Sequence, residues 1–144
     1  MFGIGFRRAG LAVLLAVAAG CGSSTGSAGE VSYALRLLNG AELPYDHEVL
    51  GCCTYLSGTL SLEAGGYTVG FTARNRNTGE VFTAIEWGAY QQQGAALSFT
   101  ADSFAVAPIG LDAGMIFGDS LRARLGGEGP GSADQFEGRF VRAD

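Results

Sequence analysis

Asp46, His47 and Glu48, with Cys52 and Cys53 shortly after, form the one cluster in the sequence with the side-chain types of a metal site. A bound zinc ion needs three or four converging ligands. In an extended chain neighbouring side chains point to opposite sides, so Asp46 and Glu48 face away from His47. The sequence contains a single histidine. No metal and no other cofactor is therefore expected, and the three residues read as polar positions of an edge strand or loop. That histidine is also the sole imidazole available as a general base, and no Gly-x-Ser-x-Gly elbow precedes a helix. The remaining carboxylates are scattered over strands and turns as a solvated face. No catalytic residue is assigned and no enzyme is expected.

Cys52 and Cys53 admit two readings. One is a buried apolar thiol beside an exposed one. The other is a vicinal disulfide, which needs a turn because consecutive strand residues point apart. Gly51 makes such a turn conceivable, and an oxidising compartment would favour pairing. The two-thiol reading is the simpler. No arginine lies close in sequence to lower a thiol pKa for redox work.

Cys21 has a different setting. Arg7 and Arg8 precede an apolar run at 9–19, broken only by Gly10. That run is too short to span a bilayer, which takes about 20 residues, but it suits a signal peptide. Ala18-Ala19-Gly20-Cys21 then resembles a bacterial lipobox, which makes Cys21 the lipidation site. The alternative is an ordinary signal peptide cut elsewhere, leaving Cys21 as a free thiol. Residues 22–29, GSSTGSAG, have the composition of a flexible tether. The expected organisation is a lipoprotein signal peptide at 1–20, a Gly/Ser tether at 21–30 and a folded domain at 31–144. The expected location is exported and membrane-anchored. Gly22 after the cysteine agrees with the outer membrane or cell surface, if the organism has one.

The part after residue 20 holds seven arginines, no lysine and fourteen acids, a formal charge of −7. That sum argues against nucleic acid as a partner and against electrostatic attachment to anionic lipid. The expected contact with a membrane is the lipid anchor. With 47% hydrophobic and 16% charged residues, the chain has the makings of a folded core.

The elements that would position these residues are strands. In 58–75, Leu60 and Leu62 alternate with polar residues, the Ala-Gly-Gly of 64–66 interrupts, and Tyr67, Val69, Phe71 and Ala73 alternate again. This is the pattern of a β-hairpin with one buried face. Ahead of it, 31–38 reads as a strand with Tyr33, Leu35 and Leu37 on one face and Ala34, Arg36 and Leu38 on the other. Asn39-Gly40 then turns the chain into 41–49, where Pro44 implies an edge or a bulge. Further strands fall at 80–90, 95–101, 121–125 and 135–142. In 80–90, Val81, Thr83, Ile85 and Trp87 share one side, with Phe82, Ala84, Glu86 and Gly88 opposite. Residues 103–108 read as a strand or the start of a loop, and 109–118 keeps neither period. No stretch sustains an apolar period of 3.6. About eight or nine strands joined by tight turns imply an all-β, antiparallel up-and-down meander, closing into a small, about eight-stranded barrel. A β-sandwich is the alternative.

Three features resemble the small lipocalin-like lipoproteins of bacteria. They are YALRLLNGAELP at 33–44, a Gly-Thr-Leu-x-Leu…Gly-x-Tyr hairpin at 58–67, and Gly88-x-Tyr90 with Gly94 and Leu97-x-Phe99. The closing GRFVR at 138–142 agrees. The Leu-Asn-Gly at 38–40 also resembles small heat-shock-inducible (META-type) lipoprotein domains. The first resemblance implies a lipocalin-like meander barrel and a small hydrophobic ligand, and transfers no site residue. Candidate walls of such a lumen are Tyr67, Val69, Phe71, Trp87, Leu97, Phe99, Phe136 and Phe140. Two functions follow. One is an envelope lipoprotein that binds a small hydrophobic ligand. The other is a non-catalytic structural or protein-interaction domain with a filled barrel. Enclosed volume beneath Trp87 and Phe71 separates the two.

Overall fold

A computed structural model describes residues 29–46, 52–126 and 135–144. Cys21, His47 and Glu48 lie outside the described residues. Ten strands follow one another: β1 (Val31–Leu38), β2 (Ala41–Glu42), β3 (Tyr45–Asp46), β4 (Cys53–Glu63), β5 (Gly66–Asn75), β6 (Val81–Gln93), β7 (Ala96–Ala105), β8 (Ala113–Phe117), β9 (Ser120–Leu125) and β10 (Phe136–Arg142). From β4 to β10 each strand pairs antiparallel with the next. β1 then pairs with β10 on one side and with β4 on the other, which closes the sheet into an eight-stranded barrel. The expected meander barrel is the fold. Pro44 sits between the two-residue strands β2 and β3, which append to β1 and β4 outside the closed ring.

The turns have the chemistry that two-residue hairpins require. Asn39 and Gly40 take φ of 49° and 78°, and Ala64 and Gly65 take 41° and 84°. Positive φ at both central residues marks the turn type whose twist matches the strands.

Three bulges interrupt the alternation, at Arg36 in β1, Leu56 in β4 and Asp102 in β7, each the extra residue of its ladder. Each one flips the sides of the residues that follow it. This corrects the expected faces of β1: Leu38, fully buried, joins Tyr33 and Leu35 inside, and Leu37 moves to the outer face. In β4 the inward set changes from Cys53 and Tyr55 to Gly58, Leu60 and Leu62.

The interior is built by setting large inward side chains against small ones, as small barrels do. Phe71 meets Tyr55 edge-on at 5.9 Å and Phe140 at 6.5 Å between ring centres. Gly58 lies between Leu35 and Phe71, where a Cβ would stand 2.9 Å and 3.0 Å from their nearest atoms. A Cβ on Gly138 would come within 2.8 Å of Leu125 and 2.9 Å of Phe140. Gly58 and Gly138 are thus spaces already taken by neighbouring rings and leucines.

Candidate functional site

The inward face of β6 carries Ala84, Glu86 and Gly88, so a carboxylate points into the barrel. Glu86 is 2% exposed, the one buried charged residue among those described. Its partners come from the segment joining β7 to β8. β7 pairs with β8 only over Ala96–Ser98, and after Phe99, whose N–H donates to the Asp112 carbonyl at 2.8 Å, the rest of β7 has no strand partner on that side. Residues 106–112 cross this gap and insert Ile109 and Leu111 into the core.

An inserted loop brings backbone N–H groups into the interior, and they must be satisfied there. Glu86 does this. Its Oε2 accepts from the N–H of Ile109 at 2.9 Å and of Gly110 at 2.8 Å. Its Oε1 accepts from Leu111 N–H at 3.1 Å and from the Tyr67 hydroxyl at 2.9 Å. Three consecutive amides converging on one carboxylate make a small anion nest, filled here by the protein's own side chain. The left-handed Gly110, with φ of 74°, curls the chain so that the three amides face one way. The far side of the loop is held by Gly126, whose N–H reaches the Ile109 and Gly110 carbonyls at 3.1 Å and 3.0 Å. Arg124 grips Asp112 through Nε and Nη2 at 3.0 Å and 2.5 Å. The carboxylate acts as an acceptor on every bond it makes and fastens the loop across the barrel.

Tyr67 is part of this knot. Burial raises its pKa above the ordinary 10, and the hydrogen bond and negative charge of Glu86 raise it further. Burial also raises Tyr55. Below pH 10 both phenols are protonated whether the chain is folded or not, and their contribution to stability is complete. As pH climbs past 10 the unfolded chain ionises first, so stability falls until the folded-state pKa is reached. Alkaline unfolding followed by circular dichroism is expected to show this decline beginning near pH 10. Tyr67→Phe should flatten it, at the cost of one hydrogen bond at neutral pH. An unchanged slope in that variant would refute the coupling.

Of the candidate lumen walls, Tyr67, Val69, Phe71, Leu97, Phe99, Phe136 and Phe140 are buried inside the barrel. Tyr67 and Phe99 meet edge-on at 5.0 Å. Trp87 is a correction: it lies on the outer face at 40% exposure, opposite Thr68 of β5. Val81 and Ile85 share its side and are exposed with it, while Glu86 takes the inward direction. Because Trp87 is the chain's one tryptophan, its emission reports on the surface. Iodide is expected to quench it in the folded protein nearly as well as in the unfolded one. A blue-shifted, iodide-resistant emission would place it inside instead. Glu86, Ile109 and Leu111 are the members of the site that sequence reading passed over. The available signal was the one charged position in the inward phase of Val81–Gln93.

Cys52 and Cys53 are joined as a disulfide, with S–S at 2.11 Å and Cα atoms 3.7 Å apart. This replaces the simpler expectation of two thiols. Cys52 lies in a bend just before β4 begins, so its side chain does not follow the strand alternation that would separate the sulphurs. The carbonyl of Cys52 accepts the Arg76 N–H at 2.9 Å, which ties the pair to the β5–β6 turn. Asp46 accepts a hydrogen bond from the Thr54 hydroxyl. Among the described residues no group of three or more His, Cys, Asp or Glu side chains could hold a metal ion.

Comparison with protein-family models, with curated proteins and with solved structures finds no match.

Proposed function

We propose that this chain is an exported, lipid-anchored envelope protein whose barrel is a filled scaffold. It is a non-catalytic structural or interaction domain that works through its outer surface. The observation that carries the reading is the occupation of the barrel interior. A carrier of a small hydrophobic molecule needs a lumen of a few hundred Å³, on the order of 300 or more. Here the inward glycines 58 and 138 lack room even for a methyl group. The 106–112 segment is bonded into the interior through Glu86. The anchor rests on the lipobox-like junction at Cys21 and the Gly/Ser tether behind it.

Two measurements test the two halves. Cys21→Ser is expected to abolish labelling by a radioactive or clickable fatty acid. Retention of label would overturn the anchor. Native mass spectrometry of the delipidated domain is expected to give the bare polypeptide mass less two hydrogens for the disulfide. A co-purifying lipophile that stays bound in the gas phase would overturn the filled barrel.

A further inference from the structure

The outer face of β1, β10, β9 and β8 holds an arrangement that the fold itself does not use. Cross-strand register puts Arg139 directly opposite Arg122, and Arg122 directly opposite Met115. On the other side of Arg139, the β1 bulge presents Arg36 together with Leu37. Three arginines on three adjacent strands therefore stand in one row, with the strands about 4.8 Å apart. Like charges directly opposite one another destabilise a sheet. Among the described residues the ion pair is Arg124 with Asp112, and none of the three arginines in the row makes one. Glu42, opposite Leu37, and Glu137, opposite Arg124, border the row without interrupting it.

Large apolar side chains accompany these charges. Phe117 and Met115 are 55% and 42% exposed. Arg122 lies over the Phe117 ring at 5.5 Å. An open groove of about 600 Å³ runs alongside, lined by Met115, Phe117, Arg122, Arg124 and Phe136 among others. The chain enters the barrel at the same rim. Tyr33 is opposite Arg142, Ala143 N–H bonds to the Ser32 carbonyl, and Arg142 N–H bonds to the Asp119 carbonyl in the turn after Phe117.

We propose that this face docks on an anionic phospholipid bilayer, with the guanidinium groups of Arg36, Arg122 and Arg139 on lipid phosphates and Phe117 and Met115 at the headgroup boundary. Guanidinium matches phosphate oxygens in a two-pronged fashion and keeps its charge at any relevant pH. A ring and a thioether beside arginines are the side chains that enter a membrane interface. The total charge of −7 opposes such contact, but the Debye length in physiological salt is only about 8 Å. Acids farther off are screened, while Glu42 and Glu137 beside the row and Asp119 after Phe117 oppose the contact locally, so it rests on the three guanidinium groups reaching phosphates directly. The anchor proposed at Cys21 would hold such a membrane near the domain. The proposal does not depend on that anchor.

The test uses the chain from residue 22 onward, lacking Cys21 and the basic and apolar segment before it, so that neither an acyl group nor the signal peptide contributes and failure of the anchor cannot be mistaken for failure of the face. Sedimentation is measured with vesicles of phosphatidylcholine, with and without phosphatidylglycerol. Binding is expected with phosphatidylglycerol and to fall steeply with added salt. A basic residue at such a surface is worth about fivefold in partitioning, so the row contributes about a hundredfold. Arg122→Glu and Arg139→Glu should each weaken binding by more than tenfold, and Phe117→Ser by a smaller factor. Arg74→Glu, an equal change in net charge at an exposed position of β5, should leave it intact. Circular dichroism checks that each variant is folded. No binding, equal binding to both vesicle types, or an equal loss with Arg74→Glu would overturn the proposal. Salt-sensitive binding to polyglutamate but not to vesicles would assign the face to an acidic protein instead.

Discussion

Glu86→Ala is expected to cost the barrel about 3–5 kcal/mol, a large part of the 5–15 kcal/mol that holds a typical domain together. The substitution removes four hydrogen bonds at once: three from the successive amides of Ile109, Gly110 and Leu111, and one from Tyr67. A buried donor left without a partner costs roughly 1–3 kcal/mol. Four such penalties would exceed the figure given. The loop escapes part of the cost by lifting away and letting water reach its amides, which in turn uncovers Ile109 and Leu111. Urea unfolding should therefore show a lowered midpoint, and hydrogen exchange should show lost protection at 109–111 even where the barrel remains folded. Glu86→Gln keeps the shape and one acceptor oxygen but turns an NH2 group toward amide donors. It should fall between the alanine variant and the parent. A stability change under about 1 kcal/mol for alanine would mean that the carboxylate does not hold the loop.

Gly88→Ala should do comparable damage by a different route. A Cβ built on Gly88 falls 2.0 Å from the Thr100 carbonyl oxygen and 2.9 Å from Ala101 Cα and Asp102 N. These are backbone atoms of β7 at the point where Asp102 forms its bulge. No rotamer change can relieve the contact, so β6 and β7 must separate. Overpacking that a core can absorb costs about 1–3 kcal/mol. A clash with the neighbouring strand's main chain, two residues from Glu86, is expected to exceed that range and leave little folded protein at 37 °C. Thermal unfolding of the purified variant, or its recovery in the soluble fraction, reads the outcome. A melting temperature within a few degrees of the parent would show that the bulge can move.

The two positions also show where sequence reading succeeds and where it stops. The inward side of β5 is legible because Tyr67, Val69 and Phe71 alternate without interruption and the turn at Ala64–Gly65 sets the register. The order of strands and the closure follow from counting such units. On β6 the expectation for Trp87 fails because Val81, Ile85 and Trp87 outweigh Ala84, Glu86 and Gly88 in hydrophobicity. Hydrophobic weight assigns a face only when the interior wants large apolar residues. This stretch of interior wants a close backbone approach at Gly88 and an acceptor at Glu86, both demands made by other segments. In β1, Leu37 and Leu38 are identical side chains in adjacent positions, and only the bulge at Arg36 decides which of them is buried. The arginine row has the same character. Arg36, Arg122 and Arg139 are far apart in sequence, and a net charge averages them against acids elsewhere.

Strand β1 is held on one flank by β4 and on the other by β10, the last of the described strands. Its pairing with β10 joins residues about a hundred positions apart, such as Tyr33 with Arg142. The entropy of closing so large a loop is lost before that contact returns any energy, so this seam belongs to the slow class of folding events. A nascent chain can form the β4–β5 and β5–β6 hairpins early, from neighbours in sequence. It cannot close the ring until β10 is available. Until then β1 presents an unpaired edge, and the interval before closure is when the chain is most open to pairing with another copy.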